Sequence, residues 1–255
     1  SSGLPFKEEY PLIFRWVSPT LLGICKRSIR DRSMGKDSKP DMAPTITGVI
    51  LAGGRSTRFS GKNKAFLRVG NERILDRIFR VFRHLFREII LATNDPVRYL
   101  QWDVKIVSDL YDVRSSLIGL HAGLFHAEGT HAFVTACDTP FLAPALLEEI
   151  AARVRPETDV LIPETADGLE PLCAVYSRRC LKPIEANLRA GRLKIQDFFA
   201  HVRVETISEA DVHRFDENRA SFININTAED LFRAETALAG FGPENQPGGS
   251  HENGS

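Results

Sequence analysis

A run of apolar residues from Ile46 to Leu51 breaks at Ala52-Gly53-Gly54 and is followed by cations at Arg55, Arg58, Lys62 and Lys64. That order is the pattern of a buried strand opening into a loop that receives an anion. Glycines at such a point take backbone angles closed to other residues and let a ligand approach the main chain, and exposed N–H groups beside cations suit a polyphosphate. The glycines space neither as G-x-x-x-x-G-K-[ST] nor as G-x-G-x-x-G, which disfavours a P-loop kinase and an ordinary dinucleotide enzyme. Taken alone, a strand ending in Gly-Gly is more often a tight turn than a phosphate site, so the rest of the chain has to decide.

Downstream, apolar runs alternate with amphipathic ones. Arg73 to Phe86 places Ile74, Leu75, Ile78, Phe79, Phe82, Leu85 and Phe86 on one helical face, and Glu88 to Thr93 is a short apolar run ended by Asn94-Asp95-Pro96. Further strands are predicted at 104–107, 132–136, 159–163, 172–177, 202–206 and 222–225. Helices are predicted at 117–127, from Pro144 to about 154, at 178–190, over a short stretch at 194–200, and at 227–238, the last capped by Thr227. Strands alternating with helices imply a three-layer α/β domain with a mostly parallel sheet. In such sheets ligands bind beyond the carboxyl ends of strands, where strand order reverses. Gly53, Gly54, Asn94, Asp109 and Asp138 all follow predicted strands and are expected to share one cleft.

The flanks read differently. Residues 1–43 carry a short apolar patch and a basic, aperiodic stretch, and are expected to be a flexible extension. The Gly-, Pro- and Asn-rich residues 240–255 are expected to be a disordered tail, leaving 44–239 as the folded domain. Thirty-three basic and thirty-three acidic residues cancel, so no nucleic-acid footprint is expected. No apolar run is long enough for a membrane span, and Cys25, Cys137, Cys173 and Cys180 show no C-x-x-C spacing, which suggests reduced thiols in a cytoplasmic protein.

Several strand-end residues carry chemistry. Asp138, between an apolar strand and Thr139-Pro140, is either a hard oxygen ligand for Mg²⁺ or a structural N-cap or Asx-turn. Asp109 suits a sugar hydroxyl or a metal, and equally a loop start. Lys64 is placed to fold back over phosphates as a point charge, with Arg58 adding a planar fork, while Arg55 and Lys62 read better as a solvated basic loop. Asn224 and Asn226 flank Ile225, and as members of a strand they present both amides on one face, toward a polar ligand or toward a helix cap. No zinc-ligand spacing, nucleophile elbow or Cys/His pair is present, so the groups suit charge neutralisation in phosphoryl or nucleotidyl transfer.

Together, ITGVILAGG, the spacing from Arg58 to Lys64, VSD ending at Asp109, CDTPF around Asp138 and FININTAEDL from Phe222 resemble the molybdenum cofactor guanylyltransferases. These are MobA-like nucleotidyltransferases with a Rossmann-like fold, and the resemblance runs from Thr45 to about Leu238. It implies transfer of GMP from GTP to the terminal phosphate of molybdopterin carrying molybdenum, with release of pyrophosphate and a need for Mg²⁺. By matching positions, Leu51, Ala52, Gly53 and Gly54 would form the guanosine and phosphate cradle, Arg58 and Lys64 would act on the phosphates, and Asp109 would lie on the nucleoside side. Asp138 would contact GTP through Mg²⁺, and Asn224 and Asn226 would face molybdopterin. A client molybdoenzyme or a cofactor-assembly protein is a further candidate partner, and the client would be the recipient if the chain acts as a delivery module.

Departures from the family pattern are Ser60 for a common glycine, Asn63 for a frequent aspartate, Ser116-Leu117-Ile118-Gly119 for a Pro-Leu-Ala-Gly-like turn, and Ala228 for a frequent proline. They leave Lys64 and Asp138 in place and bear on base selectivity. Competing readings are cytidylyl transfer to molybdopterin, nucleotidyl transfer to a sugar phosphate, and a weakly catalytic module that delivers the cofactor.

Overall fold

The computed structural model describes residues 44–53, 64–111 and 113–240. The expectations for residues 1–43, Gly54, Arg55, Arg58, Ser60, Lys62, Asn63 and the segment after Gly240 lie outside the described residues.

In chain order the elements are β1 (Ile46–Leu51), β2 (Arg68–Val69), β3 (Glu72–Arg73), α1 (Ile74–Leu85), β4 (Ile89–Ala92), β5 (Lys105–Val107), α2 (Ser116–His126) and β6 (His131–Ala136). They continue with α3 (Pro144–Arg153), β7 (Val160–Thr165), β8 (Gly168–Leu169), β9 (Cys173–Ser177), α4 (Leu181–Arg189), β10 (Val204–Ile207), α5 (Glu209–Phe215) and α6 (Ala228–Gly240). One sheet runs β10-β7-β9-β6-β1-β4-β5, with β8 pinned to β7 as a hairpin and β2-β3 as a separate small ribbon. The pairs β1-β4, β4-β5, β1-β6 and β7-β10 are parallel. β9 is antiparallel to both β6 and β7, so it alone reverses direction within the main path and β7 points the same way as β6. The sheet is therefore mostly parallel, as the alternation predicts.

Period-two alternation divides the strands between two cores. Ile50, Leu91, Phe133 and Val175 pack beneath α1, α3, α5 and α6, whereas Val49, Leu51, Ile90, Val134 and Ala174 pack beneath α2 and α4. This is the expected three-layer arrangement. Helix α2 comes unusually near β1, because a Cβ on Gly123 would stand 2.5 Å from Val49 Cγ1 and one on Gly119 3.3 Å from Leu51 Cδ2. At Gly123 only hydrogen lets the helix settle this closely on the strand, while at Gly119 the Leu51 methyl would have to yield by a few tenths of an ångström.

The opposite ends of β1 and β6 are tied by one carboxylate. Glu88 accepts hydrogen bonds from Thr47 Oγ1 at 2.6 Å, Glu128 N–H at 2.9 Å and Lys105 Nζ at 3.0 Å. Burial by itself raises its pKa, but those bonds outweigh burial and hold the carboxyl below the ordinary glutamate value. A depressed folded-state pKa means stability that is present above the unfolded value and lost as pH falls through the folded one. Glu88→Gln is thus expected to melt lower than the parent at neutral pH and to converge with it in acid, below about pH 4.3. Parallel melting curves across that range would remove Glu88 from the account.

One expectation needs correction. Residues 222–225 are not a strand: a 3₁₀ turn at Ala220–Phe222 leads into an unpaired extended run, in which Ile225 N–H donates to the Asp138 carbonyl at 2.9 Å. Its apolar alternation reflects burial of Ile225 in the core rather than membership of a ladder. The short helix near 194–200 is 3₁₀ over Ile195–His201. Helix α5 was not predicted, although Ser208 caps it by accepting from Asp211 N–H.

Candidate active site

Strand order reverses at β1. The chain lays β4 and β5 to one side of it and then returns to place β6 on the other, so the carboxyl ends of β1 and β6 are neighbours at the point where strand order reverses. Leu51 and Ala136 are partners in register, and Cys137 N–H donates to Leu51 O at 3.0 Å. Gly53 and Asp138, each two residues beyond that pair, both line the space beyond these strand ends.

A cavity of about 500 Å³ opens there, lined by Leu51, Ala52, Gly53, Lys64, Asp109, Asp138, Asn224 and Asn226 among others. Every predicted site residue within the described part of the chain is in this set. Asn94 is not, although it too follows a strand. Its amide donates to Asp109 Oδ2 at 2.6 Å and its Oδ1 accepts from Asp109 N–H at 3.1 Å, so it orients Asp109.

Lys64 opens a 3₁₀ turn, Lys64–Phe66, which is seated by a fully buried Ala65 and by Phe66 against the rings of Tyr99 and Trp102, 5.4 and 5.5 Å away. The ammonium donates to Asp138 Oδ2 at 3.1 Å and to Asn226 Oδ1 at 2.5 Å. Lysine and aspartate are each 18 % exposed, so the pair is shielded but reachable. The Asp138 loop is held from three sides: Thr139 Oγ1 donates to Ala136 O, Arg77 Nε to Pro140 O, and Ile225 N–H to Asp138 O. Asn226 is held from behind. Asp230 Oδ2 accepts from Asn226 N–H at 2.9 Å and Thr227 N–H at 2.8 Å, while Thr227 Oγ1 accepts from Asp230 N–H. That reciprocal cap confirms Thr227 at the start of α6, and the bond from the Asn226 N–H is the leading cause that lowers the Asp230 pKa.

Position within the cavity is compatible with the ligand readings of Asp138, Asn224 and Asn226. Asp138 does not cap a helix: α3 begins at Pro144 with no side-chain cap bond. Asn224 and Asn226 reach the cavity through an irregular segment rather than a strand face. Reading by spacing also passed over Arg114, Ser115, Cys137 and Leu172, which line the same cavity. Ser115 carried a usable signal, since a serine just before an apolar run is a cap, and it accepts from Ile118 N–H at the start of α2. Burial, aided by the Asp138 charge, pushes the Cys137 thiol up to about 12, so it stays protonated beside Asp138.

The donors present fit a hard cation bound together with phosphate. No group of three or more His, Cys, Asp or Glu is gathered for a metal among the described residues. Mg²⁺, however, commonly takes one or two carboxylates and fills its other positions with water and substrate phosphate. Asp138 would supply the carboxylate and the cavity the space. Among the described residues no helix is long and apolar enough to cross a membrane.

Comparison with known proteins agrees with this geometry. Residues 48–206 match the MobA-like NTP transferase domain. A molybdenum cofactor guanylyltransferase of Desulfosudis oleivorans is 45 % identical over 193 residues, covering 76 % of this chain and 96 % of the relative. A probable molybdenum cofactor guanylyltransferase of Pelotomaculum thermopropionicum is 38 % identical, covering 74 % and 91 %. Among solved structures, the molybdopterin-guanine dinucleotide biosynthesis protein A of Archaeoglobus fulgidus superposes with a TM-score of 0.66 at 26 % identity, covering 76 % of this chain and 99 % of that one. With the strand reversal, the Lys64–Asp138–Asn226 bridge and these relatives in agreement, the chain belongs to the MobA-like NTP transferase domain family.

Proposed function

We propose that the chain transfers the guanylyl group of GTP to molybdopterin carrying molybdenum, forming the guanine dinucleotide of the cofactor and releasing pyrophosphate. The observation that carries this reading is the bridge from Lys64 to both Asp138 and Asn226, which joins the three predicted sectors of the cleft through one ammonium.

An oxygen of the acceptor's terminal phosphate attacks the α-phosphorus of GTP. As that P–O bond forms, the bond from the α-phosphorus to the bridging oxygen breaks, and its electron pair leaves with pyrophosphate. The attacking oxygen is already anionic, so the step needs no protein nucleophile. Lys64 offsets negative charge on the phosphates, and Leu51, Ala52 and Gly53 let the nucleotide lie against the main chain. Asp109, held by Asn94, is preset to accept from nucleoside hydroxyls or ring N–H groups. Asn224 and Asn226 meet the acceptor from the opposite wall. Asp138 would hold Mg²⁺, which when bound neutralises phosphate oxygens as the reaction proceeds. The product would pass to an enzyme that uses the dinucleotide form of the cofactor.

The test is pyrophosphate release from purified protein with Mg²⁺ and molybdopterin, run with GTP, CTP, ATP and UTP in turn. Release with GTP alone is expected. Release with CTP and not GTP would replace guanylyl by cytidylyl transfer, and cofactor binding without release from any nucleotide would reduce the chain to a delivery module.

A further inference from the structure

Helix α2 brings Ser116 and Gly119 to the large cavity, and two residues beyond Gly119 it carries His121, which is only 1 % exposed. Nothing in the transfer chemistry uses this imidazole. Its surroundings are largely apolar: the Phe125 ring stacks on it from its own helix at 6.2 Å, and the Tyr111 ring meets it edge to face at 5.4 Å. Its Nε2 lies 3.4 Å from Glu185 Oε1 on α4, and the other oxygen of Glu185 accepts from Arg189 at 3.1 Å. A carboxylate only accepts, so the proton of the neutral ring belongs on Nε2 and Nδ1 is bare. That Nδ1 is buried and has no hydrogen-bond partner among the described residues.

Tyr111 ties this ring to the cleft. It stands two residues after Asp109, and Leu110 and Tyr111 are both buried in the core beneath α2 and α4. Asn94 fixes Asp109 from the β4 side through two hydrogen bonds, and on the other side the chain is seated by Leu110 and by Tyr111 on the His121 ring. A second proton, on Nδ1, meets no acceptor there and has to draw one into a closed site. Burial accordingly holds the His121 pKa below its ordinary 6.5, although the Glu185 bond and charge pull the other way. The titratable and charged groups around it are Tyr111 from the loop, Glu185 and Arg189 from α4, and His126 from its own helix. Burial and then the Glu185 charge raise the Tyr111 phenol, so phenol, imidazole and carboxylate form one cluster.

We propose that His121 is a positioning residue for the nucleotide: its neutral ring, held by Glu185, is the seat of the Asp109 loop, and a proton taken up on Nδ1 unseats that loop and weakens GTP binding. The proposal rests on the reading in which Asp109 meets the nucleoside, and adds to it a residue that itself touches no substrate. A histidine whose folded-state pKa lies below 6.5 binds its proton more readily in the unfolded chain, so the closed packing is fully stable above pH 6.5 and loses stability as pH falls below it. The metal and phosphate groups at Lys64 and Asp138 are not part of this cluster, so the effect belongs to binding of the nucleotide rather than to the chemical step.

The test is the Kd of GTP by calorimetry between about pH 5 and 8. It compares the parent with His121→Leu, which removes the ring, His121→Phe, which keeps a ring that cannot titrate, and Glu185→Gln. The γ-phosphate of GTP titrates in the same range for every protein, so the reading is each variant's departure from the parent. At neutral pH His121→Leu is expected to weaken GTP about threefold to tenfold, the loss of one aromatic contact, and His121→Phe to weaken it less. As the pH falls the parent should lose affinity more steeply than His121→Phe. Glu185→Gln, without the charge that favours protonation, should move the parent's loss to lower pH. In each case KM for GTP should change more than kcat. Thermal melts at each pH separate these effects from unfolding, and Glu185→Gln decides alone if the His121 variants do not fold. Coincident pH profiles of the parent, His121→Phe and Glu185→Gln in a protein that transfers GMP would overturn the proposal and leave the transfer reading standing. If the parent binds no GTP, the transfer reading fails, and amide exchange at Leu110 and Tyr111 decides the other question. Exchange that is faster in the parent than in His121→Phe at acid pH supports the seat, and equal exchange removes it.

Discussion

Asp138→Asn is expected to lower GMP transfer on the order of 10²- to 10³-fold, the range seen when one preorganised electrostatic contact to a transition state is removed. The amide keeps the shape of the side chain and can still accept from Lys64, so the loop held by Thr139, Arg77 and Ile225 should remain where it is. What disappears is the negative charge that would hold the metal against the phosphates. Global stability should change by less than about 1 kcal/mol, because the Lys64 pair is a single, partly exposed ion pair. Initial rates of pyrophosphate release, paired with a thermal melt, separate the two effects. A rate within twofold of the parent would mean that Asp138 is not the metal residue.

Lys64→Ala is expected to weaken GTP binding by about 10- to 100-fold through loss of a point charge at the phosphates. A second consequence follows from its hydrogen bonds. Asp138 and Asn226 both accept from this ammonium, so its removal leaves two acceptors facing each other without their shared donor. The Asp138 loop and the Asn226 segment are then uncoupled, and if Asn226 meets the acceptor as proposed, the KM for molybdopterin should rise as well. Lys64→Arg should restore little, since a planar fork does not reproduce a compact ammonium donating in two divergent directions. Calorimetric titration of GTP at two salt concentrations gives the reading: the parent affinity should fall with added salt and the variant's should fall less. An unchanged GTP affinity would place the phosphates elsewhere in the cavity.

Much of the architecture was legible because the signals behind it are local. The apolar face of α1 and the short runs of β1, β4 and β6 announce themselves within a dozen residues, and a chain that alternates such runs has few ways to bury them other than a layered α/β sheet. The rule that ligands gather beyond strand carboxyl ends then placed Gly53, Asp109 and Asp138 in one cleft. It misjudged Asn94, because a polar residue at a strand end can serve its neighbour as readily as a ligand, and only the paired bonds to Asp109 reveal which. It also misread residues 222–225. Alternation of polar and apolar residues reports which side chains are buried, and a single extended segment buries Ile225 as well as a strand does.

The sequence by itself determined which residues could meet a nucleotide: a glycine-ended strand, a lysine behind it, aspartates after two further strands, and a pair of asparagines before the last helix. It did so because each of these is specified by the few residues on either side. Only the tertiary structure decided which of them are opposite each other. The return of β6 to the free side of β1 brings Asp138 to the same cavity as Gly53, and Leu172, just before the reversed strand β9, lines it too. The ammonium of Lys64 then spans to partners 74 and 162 residues further along the chain. Contacts at that separation depend on strand order and on the closure of long loops, which no local pattern of residues encodes.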